Sequence, residues 1–286
     1  MKPLVSVIIP TYNMDRYVLE AVDSALSQTY KPLEIIVVDD GSADTTYSRL
    51  TPYIEQGNIS YVFQENKGLA TTRNTGIREA HGEYIAFLDA DDLFLPRKIE
   101  QQVAFLETHP HCDISYCDLW HFFDGAPDRL FHHEYQFYEG NAILKKLLNK
   151  NFINPLSVVL RKQTIEHCGL FNEAYLRSED WELWIRFAEK GMKFCFLKEK
   201  LAKYRMRRNG SLSHDFEAEV QRKETTLSIF IKLKQTMSWK KQAHLLFPWY
   251  MTKQWCKLVY AKFAARYKAL RRLHLWLQTR RLKQAS

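Results

Sequence analysis

Tyr84-Ile85-Ala86-Phe87-Leu88-Asp89-Ala90-Asp91-Asp92 is the stretch that decides the fold. Its first five residues read as a buried strand, which delivers three carboxylates at its carboxyl end. Such a strand end is a natural seat for a hard divalent cation. Mg²⁺ and Mn²⁺ take oxygen ligands, usually one or two protein carboxylates and the phosphate oxygens of a substrate. The acids alone decide little. A D-x-D triplet arises about once by chance in a chain this long, and turns and helix caps use the same residues. The segments around it give the triplet its meaning.

Upstream, strands alternate with helices. Val5-Ser6-Val7-Ile8-Ile9 is strand-like, and residues 17–28 carry helical apolar spacing at Val18, Ala21, Val22, Ala25 and Leu26. Glu34-Ile35-Ile36-Val37-Val38 is a second β-branched run, ending in Asp39-Asp40-Gly41-Ser42. Ile59 to Phe63 is a third, followed by a helical stretch over 69–80 and then the strand before Asp89. This alternation predicts an α/β fold with a mainly parallel central sheet, which binds ligands at the carboxyl ends of its strands. Thr11-Tyr12-Asn13, Asp39-Asp40 and Asp89 to Asp92 all fall there and outline a nucleotide-sized cleft. No G-x-G-x-x-G follows the first strand and no G-K-[ST] loop is present, so dinucleotide folds and phosphate-loop folds are excluded. A diphosphate here needs a metal and an arginine, and Arg73 in Gly68-Leu69-Ala70-Thr71-Thr72-Arg73-Asn74 is placed for that.

The 286 residues are 46% hydrophobic and 14% aromatic, enough for one large core or two layered halves. No run reaches the roughly 18 apolar residues of a membrane span. Leu4 to Ile9, closed by Pro10, reads as a first strand rather than a signal segment. The five cysteines include no C-x-x-C pair, and Cys112 and Cys117, separated by four residues, fall in a predicted strand. Reduced, structural thiols and a cytoplasmic location are therefore expected. Charge is uneven: residues 225–286 hold 14 of the 41 Lys and Arg and none of the 33 Asp and Glu. The rest of the chain is mildly acidic.

Six ordered segments carry a family likeness. They are Ser6 to Asn13, Ile36 to Ser42, Gly68 to Gly76, Tyr84 to Asp92, Ser178-Glu179-Asp180-Trp181, and Tyr204-Arg205. In these the chain resembles the family 2 glycosyltransferases, inverting enzymes of the GT-A type fold, over about residues 4–213. The resemblance implies that residues 1–105 form a nucleotide-sugar-binding half and 106–215 an acceptor-binding half of the same domain; residues 216–286 read, from their own composition, as a helical basic extension. The resemblance also implies that Thr11, Tyr12, Asn13 and Asp39 line the nucleoside pocket, with Arg73 near the base or phosphates. Asp89 reaches the ribose, and Asp91 holds Mn²⁺ or Mg²⁺. Asp180 becomes the catalytic base. On local sequence alone, Glu179-Asp180 also suits the first turn of a helix over 181–190, where acids favour the dipole.

The chemistry asks for this minimum set. An acceptor hydroxyl is a poor nucleophile, so a carboxylate takes its proton, a gain of roughly 10²–10⁴-fold. The leaving diphosphate gathers charge that a cation neutralises. One departure stands out. Where many relatives carry a metal-completing histidine after Tyr-Arg, this chain has Arg207, which cannot ligate a cation but can contact phosphate. His214 could substitute only if its loop shifts. In the tail, Trp239, Trp249, Trp255 and Trp276 alternate with the basic residues, and Pro248 divides it. That pattern suits an interfacial helix on an anionic membrane near a lipid-linked acceptor; a packed helical subdomain uses the same pattern. No specific nucleic acid is expected.

Overall fold

The computed structural model describes residues 2–132, 137–138, 140–207, 216–236, 251–259 and 262. Two compact units divide at Arg208 and Asn209. In the first, β1 (Val5–Thr11) is buried along its whole length, which is why it is apolar without alternation. Then come α1 (Val18–Leu26), β2 (Leu33–Asp39), α2 (Thr46–Glu55), β3 (Ser60–Phe63), α3 (Leu69–Glu79) and β4 (Tyr84–Phe87). The short β5 (Leu93–Phe94) precedes α4 (Lys98–Thr108), β6 (Ile114–Phe123) and β7 (Leu130–Phe131). The unit closes with α5 (Ile143–Leu147), β8 (Val158–Arg161), α6 (Lys162–Cys168), α7 (Glu179–Glu189) and β9 (Phe194–Met206).

The nine strands of the described residues form one sheet in the order β3-β2-β1-β4-β8-β6-β9-β5, with β7 on β6. The first four are mutually parallel, as the alternation predicts. Beyond β4 the sheet is mixed: β8 runs antiparallel to both β4 and β6, while β6 and β9 are parallel. Because β2, β1 and β4 are neighbours, the three polar clusters that follow them emerge side by side. Thr11 is in register with Asp39, and Leu88 N–H donates to the Ile8 carbonyl at 3.0 Å. Helix α3 lies hard against this region. A Cβ on Gly76 would sit 2.4 Å from Ile8 Cγ2, so glycine here permits close helix–sheet packing rather than phosphate approach.

One sequence expectation fails. Cys112, which lies just before β6 rather than within a strand, forms a disulfide with Cys195, the second residue of β9. Their 83-residue separation hides a pairing that the adjacency of β6 and β9 creates. Cys117, Cys168 and Cys256 are free thiols.

The second unit contains α8 (Phe216–Thr236) and a helix over 251–259. Lys262 Nζ pairs with Glu224 at 2.6 Å, and Trp255 is exposed. No described helix is long and apolar enough to cross a membrane. Trp239, Pro248, Trp249, Trp276 and His214 lie outside the described residues.

Candidate active site

At the ends of β1 and β2 the loops are stitched to one another. Asp40 N–H donates to the Thr11 carbonyl at 2.9 Å. Asn13, at a φ of 51°, accepts from Ala43 N–H through Oδ1 at 2.8 Å and donates its own N–H to Ser42 Oγ at 2.8 Å. Both Asp39 oxygens are engaged, Oδ1 by Ser42 N–H and Oδ2 by the Tyr61 hydroxyl, each at 2.8 Å. A carboxylate oxygen retains a further lone pair for another donor. Thr11 Oγ1 is buried without a partner, and the Tyr12 ring is exposed. Asp40 takes a different task. It accepts from the N–H groups of Lys67 and Gly68 at 2.9 Å each and so fixes the entry to α3.

Arg73 sits in a buried ion-pair network. It is 2% exposed, with Nη2 on Asp89 Oδ1 and Nη1 on Glu179 Oε1, both at 2.7 Å. One guanidinium thus joins the end of β4 to the start of α7, segments 106 residues apart for the Glu179 pair. Removal of either carboxylate would leave a buried charge poorly compensated. Beside Glu179, Asp180 accepts from Asn151 Nδ2 at 2.8 Å and from the N–H of Trp181 at 2.7 Å. Burial pushes the Asp180 carboxyl up, opposed by Arg73 and Asn151. Burial, and then the Asp180 charge, push Glu179 to about 7. Ser178, just before them, holds a left-handed φ of 59°, an uncommon conformation for a non-glycine residue and one that tends to be kept at functional sites. Asn151 is the residue that sequence reasoning missed; no local pattern marks it.

The acid loop 89–92 is held from β9. Because β5 pairs with β9, Leu93 lies in register with Lys203 and the end of β9 passes beside the acids. Arg205 is the clamp. Its backbone N–H donates to Asp92 Oδ1 at 2.8 Å, and Nε donates to the Asp91 carbonyl at 2.7 Å. Nη2 pairs with Glu20 at 2.6 Å and Nη1 with Asp124 at 3.4 Å. Its guanidinium also lies over the rings of Tyr17 and Phe122, 4.9 and 4.6 Å from their centroids. Asp92 is buried, and burial together with Asp91 and Asp89 drives its carboxyl well above the usual range. Arg207, expected to wait for phosphate, instead places Nε 2.9 Å from Asp91 Oδ2.

An all-carboxylate donor set suits Mg²⁺ or Mn²⁺. Asp92 Oδ2 is buried without a partner, and Asp91 keeps 17% of its side chain exposed. A hard cation therefore fits, with Asp91 as its protein ligand, once Arg207 yields that oxygen. Among the described residues, the cluster that gathers three potential ligand atoms within 4.8 Å is His111, Cys112 and Cys195; it is closed by the disulfide.

The parallel half of the sheet ends in the polar residues that follow β1, β2 and β4, and Arg73 ties the acids after β4 to those at the start of α7. Residues 6–183 match the family model "Glycosyl transferase family 2", and the chain belongs to that family. A putative teichuronic acid biosynthesis glycosyltransferase of Bacillus subtilis, TuaG, is 31% identical over 93% of this chain and 97% of its own length. An uncharacterized glycosyltransferase of Rickettsia typhi is 37% identical over 65% of this chain. The chain spans 58% of that relative's length and 31% of a Rickettsia felis relative's. Among solved structures, S. aureus TarS 1-349 in complex with UDP-GlcNAc superimposes with a TM-score of 0.66 at 19% identity, covering 91% of this chain and 72% of that one. The mannosyltransferase PcManGT from Pyrobaculum calidifontis, in complex with GDP-Man and Mn²⁺, gives 0.64 at 22% identity over 96% and 81%. These likenesses establish the GT-A type fold.

Proposed function

We propose that this chain is an inverting glycosyltransferase that moves a sugar from a nucleoside-diphosphate sugar, a UDP-sugar foremost, to a hydroxyl of a glycan or lipid-linked acceptor. The observation that carries the reading is the Arg73 bridge. It sets the acid loop, on the donor side, against Glu179-Asp180, on the acceptor side. Asp180 takes the acceptor proton. Asn151 and the Trp181 N–H orient its carboxylate, and burial raises its basicity. Thr11, Tyr12, Asn13 and Asp39 bind the nucleoside, while Asp89 is turned towards the ribose and steadied by Arg73. Asp91 would hold Mn²⁺ or Mg²⁺, whose bound charge offsets that of the leaving diphosphate. The TuaG likeness favours a role in cell-surface polysaccharide synthesis. The exposed Trp255 supports a peripheral membrane contact by the tail on the cytoplasmic face.

The test is a panel of nucleotide sugars crossed with candidate acceptors, read as released nucleoside diphosphate and as product anomeric configuration by NMR. Acceptor-dependent release with inversion is expected. Retention of configuration, or no response to any nucleotide sugar, would overturn the proposal.

A further inference from the structure

We propose that Arg207 is a built-in counter-ion that competes with the free divalent cation for Asp91, so that the cation is held firmly only together with the nucleoside diphosphate. The inference rests on the reading of Asp91 as the metal carboxylate. It adds a regulation of that site: the chain carries its own displaceable occupant.

The two arginines near the acid loop differ in the way this role requires. Arg205 is 4% exposed and fixed by Glu20, Asp124, the Asp91 carbonyl and two aromatic rings. It cannot leave without breaking the loop's support. Arg207 follows the last residue of β9, Met206, so its backbone is outside the ladder. Besides Asp91, its contacts among the described residues are soft ones: Met14 Sδ at 3.6 Å and the Tyr17 ring at 5.7 Å. Its side chain is 16% exposed, leaving a route out.

The oxygen that Arg207 holds is the one a cation needs. A ligated Mn²⁺ or Mg²⁺ sits about 2.0–2.2 Å from a carboxylate oxygen, inside the space that the guanidinium closes at 2.9 Å. Sharing the carboxylate would set a dication beside a monocation with one negative charge between them. A diphosphate changes the balance. It supplies anionic oxygens for the cation, and a planar fork partner for the released guanidinium, which binds phosphate bidentately. Cation and nucleotide therefore favour each other's binding through Arg207, and the coupling is reciprocal.

The experiment titrates Mn²⁺ alone into the full chain, following the free-ion signal by electron paramagnetic resonance, then repeats the titration with saturating UDP. Arg207→Gln is expected to bind Mn²⁺ without nucleotide about tenfold more tightly than the parent, the scale of losing one ion-pair competitor. Arg207→Lys, which keeps the charge, should stay near the parent. UDP should tighten Mn²⁺ in the parent by a larger factor than in Arg207→Gln. Equal Mn²⁺ affinities in the parent and Arg207→Gln, with binding still lost in Asp91→Asn, would overturn the competition while leaving the metal reading intact. Mn²⁺ binding that survives Asp91→Asn, or is absent throughout even with UDP, would overturn both. Metal-free UDP binding, measured alongside by calorimetry, reports separately on the nucleotide site.

Discussion

Two carboxylate clusters joined by Arg73 stand under opposite electrostatic regimes. At Glu179-Asp180 the cation is Arg73, 2% exposed and shared with Asp89. It has no route to solvent. At Asp89 to Asp92 the cation nearest the exposed carboxylate is Arg207, held by one strong contact at 2.9 Å. A permanent partner keeps an acid pair in place while burial keeps it basic, which suits proton transfer. An exchangeable partner keeps a carboxylate neutralised until something better arrives, which suits binding a charged donor. On the proposed reading, identical side chains take different roles according to whether their counter-ion can leave.

The largest effect should come from disabling the exchangeable side. Asp91→Asn should reduce transfer by about 10³-fold or more, since neutralisation of the leaving diphosphate is worth several kcal/mol. Thermal stabilisation by UDP with Mn²⁺ should weaken in parallel while the melting curve of the unliganded protein is kept. Full activity of the parent in excess EDTA would reassign the phosphate charge to Arg207. The permanent side should be more fragile as structure. Arg73→Met leaves Asp89 and Glu179 without their shared cation and should cost about 3–5 kcal/mol, read as a lowered denaturation midpoint. An unchanged midpoint would show that the bridge is not a brace.

A pH profile separates the clusters next. Glu179 lies near 7 because of burial and the Asp180 charge, and burial also raises Asp180. Turnover should therefore rise with pH through neutrality as this pair loses its proton, and level off above about 7. Stability moves the other way. The folded state holds the Glu179 proton more tightly than the unfolded chain, whose value is 4.5. That contribution is complete below 4.5 and is lost as pH rises through about 7. A flat turnover profile from 5 to 9 would separate this pair from catalysis. The smallest effect concerns the basic extension. The full chain should sediment with anionic vesicles, less at high salt, and a chain ending near Asp215 should not. Equal behaviour would make the extension a packing element.

The sequence made the strand ends legible because buried parallel strands are continuous apolar runs, and polar residues directly after them mark the ligand edge. It did not show the partners of Arg73: Asp89 and Glu179 stand 16 and 106 residues away in sequence, and only the fold brings both carboxylates to one guanidinium. The Cys112–Cys195 pair and the Arg205 clamp were hidden for the same reason: each depends on β9 joining β6 and β5 far from sequence order. Arg207 stood out as a departure from the family pattern, yet only the fold reveals that its partner is Asp91. Asn151 carried no signal at all, since an asparagine before a short irregular segment ordinarily reads as a turn residue.

The division of labour between the two clusters is tested most directly by Asp180→Asn, with turnover and donor affinity measured on the same preparation. Turnover should fall by roughly 10²–10⁴-fold, while the calorimetric affinity for UDP and for the donor stays within about threefold of the parent, because a base on the acceptor side contributes little to holding the nucleotide. Loss of donor binding in step with turnover would place Asp180 on the donor side and contradict the account.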